Sequence, residues 1–143
     1  MKLRLLLTSL VFALIISPFA RAEGGDASPL EKEMKTLNKA FRQLKKQAGD
    51  STQNASSLTL VSQMEKAAAA STALVPEKAA ELPEKDRAAM VAAYKEKMEK
   101  FSASLAKVEA ALKAGDNATA VKLVADLGTQ QREGHKEFRK PQD

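Results

Sequence analysis

Two side chains in this sequence could share a metal. Met34 lies near the start of one helical stretch, EMKTLNKAFRQL (33–44), and His135 near the end of another, QQREGHKEFRK (130–140). A thioether and a neutral imidazole both suit iron or Cu(I). Taken singly, each has an ordinary reading. A methionine on a helix stripe packs a core, and a histidine in a last turn complements the helix dipole. The pair gains meaning only if the fold brings the two together. No other histidine competes for the role.

The elements that must position them are readable as helices. Ser28-Pro29-Leu30-Glu31 makes a helix start, with Ser28 as N-cap, Pro29 at the first helical position and Glu31 completing a capping box. Leu30, Met34, Leu37, Phe41, Leu44 and Ala48 then recur at steps of three and four, one apolar stripe on one helix. After Gly49-Asp50 a second helix, 56–75, carries a thinner stripe of Val61, Met64, Ala68, Ser71 and Val75. Pro76 stops it, and 76–83 reads as a linker with two prolines. The third helix, 84–114, shows an unbroken ladder of Val91, Tyr94, Met98, Phe101, Leu105, Val108 and Leu112. Gly115 ends it, and Asp116 or Asn117 opens a fourth that runs to Arg139. So tight a turn makes the third and fourth helices antiparallel neighbours.

Four amphipathic helices with short connections predict an all-α, antiparallel up-down-up-down four-helix bundle. In that topology the first and fourth helices are adjacent and antiparallel. Met34 then sits about 7.5 Å into the first and His135 about 6 Å from the end of the fourth, at 1.5 Å per residue. Both lie on apolar stripes, so the side chains should face each other at one end of the bundle. The fourth stripe reads Val121, Val124, Gly128, Gln131, His135, Phe138, with the two valines as core. Small and polar residues take over towards the histidine, and Ala68 and Ser71 do the same on the second helix. Gly134 inside a helix costs about 1 kcal/mol against alanine and allows close approach. The pattern predicts a void that something fills.

Composition limits what that could be. Lys2 and Arg4 precede an apolar run (5–16) and an A-x-A site at 20–22, which makes 1–22 a secretory signal peptide and 23–143 the mature domain. The signal carries three of the 23 basic residues and none of the 18 acidic ones, so the mature charge is 20 − 18 = +2. Lys and Glu are interspersed, with no cationic face for nucleic acid. The absence of cysteine removes disulfides, a C-x-x-C-H haem attachment site, iron–sulfur clusters and thiolate zinc. No carboxylate pair, nucleophile–base set or phosphate loop stands out, so the chain does not read as an enzyme. Asn54 and Asn117 head Asn-x-Ser/Thr matches that read as chance.

At Met34-Lys35-Thr36-Leu37-Asn38 and His135-Lys136-Glu137-Phe138-Arg139 the chain resembles the cytochrome b562 family, soluble periplasmic electron-transfer proteins of this bundle topology. MEKAAAA (64–70) and FSASLAKVEAALK (101–113) are also similar, and the resemblance covers about Leu30 to Arg139. It implies one non-covalent b-type haem, with Met34 and His135 as axial ligands and Phe101 packed against the macrocycle. It also implies weakly bound redox partners docking at the exposed haem edge. The chain departs from the family at Gln131, where an arginine is usual one turn before the histidine, with Arg132 beside it. Two other readings stay open: a cofactor-free interaction or chaperone-like bundle, and a copper-binding protein.

Overall fold

The computed structural model describes residues 27–140, and the expected signal peptide lies outside them. Helix α1 spans Pro29–Gln47, α2 Asn54–Thr72, α3 Glu77–Ala80, α4 Glu84–Lys113 and α5 Asn117–Phe138. A 3-10 turn, Ser51–Gln53, precedes α2. Each boundary has a local cause. Ser28 Oγ accepts from Glu31 N at 3.1 Å, so α1 starts at the capping serine with Pro29 in its first turn. Asp116 Oδ1 accepts from Thr119 N at 3.0 Å and opens α5. Between α4 and α5, Gly115 adopts φ 72°, the left-handed conformation only glycine takes cheaply. It lets Asp116 N bond Ala111 O at 2.9 Å and Gly115 N bond Leu112 O at 3.1 Å, which closes the end of α4.

The four long helices form a bundle in which α1 packs on α2, α2 on α4 and α4 on α5. The closing seam, between α1 and α5, has far fewer close approaches than the other three. Leu44, Val61, Met64, Leu105, Val108 and Leu127 are fully buried at the centre. Six of the seven residues on the α4 ladder are buried, with Val91 half-buried. No helix among the described residues is long and apolar enough to cross a membrane.

Three expectations need correction. Val121 is 47% exposed, while Ala120 and Leu127 carry the core with Val124. A Cβ on Gly49 would lie 3.4 Å from Val121 Cγ2, so this valine leans on the end of α1 outside the core. Val75 is 52% exposed because α2 ends at Thr72. The residue before a proline avoids the helical region, so the chain unwinds ahead of Pro76. The linker 76–83 carries a turn of helix of its own. It contains α3, with Ala79 fully buried, and Arg87 fastens it by donating to Ala79 O at 3.2 Å and Leu82 O at 3.1 Å.

At the pole holding the α4–α5 turn, Asn54 and Asn117 have a structural role. Asn117 Nδ2 donates to Ala48 O and to Asn54 Oδ1, both at 2.7 Å, and Asn54 Nδ2 donates to Leu112 O at 3.3 Å. The pair ties four helix ends together. Asn117→Ala removes the donor to Ala48 O and Asn54 Oδ1 and should cost about 1–3 kcal/mol, read as a lower urea midpoint with an unchanged slope.

Candidate functional site: a cavity at the open end of the bundle

The other pole is hollow. A cavity of about 710 Å³ opens where α1 begins and α5 ends. Met34, His135 and Phe101 all line it, so the structure brings the three expected site residues to one space. Met34 and His135 are half-buried and Phe101 is 7% exposed. The sparse α1–α5 seam is the reason: Phe41 fills the gap beside Gly128, and towards the open end Gln131 reaches Asn38 across the seam while the space behind them stays hollow.

Phe41 also corrects the expected extent of the void. A Cβ on Gly128 would sit 3.5 Å from Phe41 Cζ, an ordinary contact, so that glycine is filled by protein. A Cβ on Gly134, on the cavity wall, would meet nothing within 4 Å. The second helix contributes less than expected. Ala68 and Ser71 are buried but do not line the cavity, because the Tyr94 hydroxyl donates to Ser71 O at 3.1 Å and covers that side.

Sequence reasoning missed much of the apolar wall. Tyr94 and Phe138 meet edge to face, with centroids 5.4 Å apart and planes at 78°. Burial pushes the Tyr94 hydroxyl up to about 12, with the Ser71 side chain pulling the other way, so it stays protonated. Met98, one turn before Phe101, lines the cavity as a second methionine. Its three-residue spacing from Phe101 was the available signal, since residues at i and i+3 share a helix face. Pro76 and Glu77 close the end. Lys78 Nζ donates to Glu137 O at 3.1 Å, and Lys140 Nζ pairs with Glu81 Oε1 at 2.6 Å, so the loop with α3 is held against α5.

At Gln131, where the resemblance implies an arginine, the side chain spans the seam instead. Gln131 Nε2 donates to Asn38 Oδ1 across the α1–α5 seam, and the neighbouring Arg132 bonds Thr129 Oγ1 at 2.9 Å. Gln130 Nε2 donates to Ser104 Oγ at 2.9 Å, while its buried Oε1 has no partner.

Burial holds the His135 imidazolium disfavoured, and the nearby Arg139 charge adds to this, so its pKa lies below the usual 6.5. The folded protein therefore binds less proton than the unfolded chain as pH falls through 6.5. His135 costs nothing above that pH and destabilises the fold below it. In the ligand-free protein the urea midpoint should drop between pH 7 and pH 5, and His135→Gln should flatten that drop. An undiminished drop in the variant would assign it to the carboxylates.

These residues fit a planar, apolar, metal-centred cofactor. The volume is within the roughly 300–1,000 Å³ of cofactor and ligand pockets. The buried part of the wall is aromatic and thioether, with exposed charged side chains such as Lys100 and Arg139 at the rim. A neutral imidazole lies on one helix and a thioether on another, and the glycine wall leaves room. No curated protein and no solved structure matches the chain at a significant level. The sequence profile of cytochrome b562 matches residues 29–139, from the first residue of α1 to the cap of α5. That match spans every helix described here and both walls of the cavity, and this chain belongs to the cytochrome b562 family.

Proposed function

We propose that this protein is an exported one-electron carrier, periplasmic after signal cleavage, that holds one b-type haem non-covalently in the cavity. Met34 and His135 are its axial ligands and Phe101 packs against the ring. The observation that supports this most is that a thioether from α1 and the only imidazole, from α5, line the same cavity. Haem bound there would supply a reversible Fe(III)/Fe(II) couple, with the thioether favouring the reduced state.

The chain's own residues do the rest. His135 offers a lone pair at neutral pH, because burial keeps the proton off. Met34 brings an uncharged donor from the opposite helix. Phe101, Met98, Tyr94 and Phe138 exclude water from the interior side. With two protein ligands the metal would have no vacant position for oxygen chemistry. The absence of cysteine leaves ligation and burial as the only means of retention.

A cavity of about 710 Å³ is far larger than a bare copper ion requires, which favours a macrocycle. Among the described residues no group of three His, Cys, Asp or Glu could complete an ion site. Haemin titration of the ligand-free protein tests the reading. A Soret band saturating at one equivalent, with no comparable uptake of Cu(I), is the expected result. Absence of the band would leave a cofactor-free bundle.

A further inference from the structure

We propose that the α1–α5 seam beside the cavity is a docking face for the acidic surface of a protein redox partner, an inference that rests on the electron-carrier reading. The charges on this chain are not evenly mixed. Helix α1 carries six cations and two carboxylates, a net +4 against +5 for the whole sequence. Both carboxylates, Glu31 and Glu33, lie in its first turns, and none follows. Lys35, Lys39, Arg42 and Lys46 then recur at steps of four, three and four along one exposed face.

That face borders a groove of about 490 Å³ between α1 and α5. Lys35, Lys39, Arg42 and Lys45 line it, and no carboxylate does. Its remaining lining includes Gln131 and His135, which also line the cavity, so the two spaces share a wall. Two of the three acidic residues of α5 face α4 instead. Glu133 and Glu137 lie 3.9 and 3.8 Å from Lys97 of α4, on the opposite side of the helix. Lys39 and Arg42 have no ion pair among the described residues, and Lys45 sits 5.3 Å over the Phe41 ring. Like charges spaced three and four apart destabilise a helix. Within the stripe Lys35 is offset by Glu31, 3.0 Å away, whereas Lys39 and Arg42 have no such partner among the described residues.

A cationic groove next to the redox site is what steers and orients an anionic partner. The patch lacks the features other polyanions use. It has no exposed large apolar residue to enter a lipid interface, since the two among the described residues, Val75 and Val121, lie in the turn after α2 and on α5's first turns. It has no exposed aromatic for base stacking, since Phe41 is 3% exposed.

The test uses a plant-type ferredoxin, an acidic protein electron carrier, titrated into the isotope-labelled protein with and without haem. Amide shifts should cluster at 35–46 and 131–136. Reversing two charges (K39E/R42E) should weaken binding about tenfold at about 0.01 M salt, with the difference largely lost near 1 M. Reversing two on α4 (K95E/K107E) should change it little. Equal losses from both pairs, shifts scattered over the surface, or no binding would overturn the proposal. So would vesicles of phosphatidylglycerol or single-stranded DNA binding tightly through the same lysines while the ferredoxin does not. Failure to take up haem would end the carrier reading instead, and the haem-free titration reports docking separately.

Discussion

Replacing His135 by alanine is expected to abolish the low-spin haem spectrum and to weaken haem binding severely. The loss should exceed the roughly 10–100-fold that follows from removing an outer hydrogen bond to a metal ligand, since here the ligand itself goes. The sequence has no second imidazole to replace it. Met34→Ala should behave differently in kind, retaining some haem on the histidine while losing six-coordination and lowering the reduction potential. Met98 makes the decisive control, because it is the other thioether in the cavity. Met98→Leu should leave the spectrum six-coordinate. If it instead reproduced the Met34→Ala spectrum, the axial sulfur would belong to α4. Neither ligand variant should destabilise the haem-free bundle much, since both side chains are half-buried at its open end.

Leu105→Ala should give the opposite pattern. Leu105 is fully buried among Leu44, Val61, Met64 and Val108, in the filled part of the bundle. Truncating such a leucine removes transfer free energy and leaves a cavity, together about 2–5 kcal/mol. Haem-free protein should show that loss in urea or thermal unfolding. At temperatures where the variant stays folded, the haem spectrum should match the parent's. The contrast separates the two halves of the molecule, one that holds the fold and one that holds the cofactor. A spectral change at Leu105→Ala equal to that at Met34→Ala would argue against the separation.

The sequence was informative wherever long helices repeat a bulky stripe. The α4 ladder and the α1 stripe predicted those helices and most of their buried faces, and their 3-4 spacing led to the bundle. It was weaker where side chains are small. On α5 the core runs Ala120, Val124, Leu127, and the bulk of Val121 drew the expected stripe one residue aside. Alanine carries little pattern signal, although a buried alanine sets how closely helices approach. Helix α3, at four residues, is too short for any periodicity to show. The cavity was legible only in outline. Met34, His135 and Gly134 all line it, but Gly128 is filled by Phe41 and the side of Ser71 is covered by Tyr94. Those are long side chains reaching across helices, and spacing along one helix does not reveal where they end. The cationic face of α1 was overlooked for a different reason. Its lysines look evenly mixed with acids when counted over the chain, although after Glu33 the helix holds five cations and no carboxylate, and their common groove with α5 gathers four of them.

Iron K-edge X-ray absorption of the haem-loaded protein examines the ligand pair most directly. Five nitrogens and one sulfur in the iron's first coordination sphere, with the sulfur absent in Met34→Ala and present in Met98→Leu, is the result expected here. A sphere of nitrogen and oxygen alone, or five-coordinate iron in the parent protein, would contradict it.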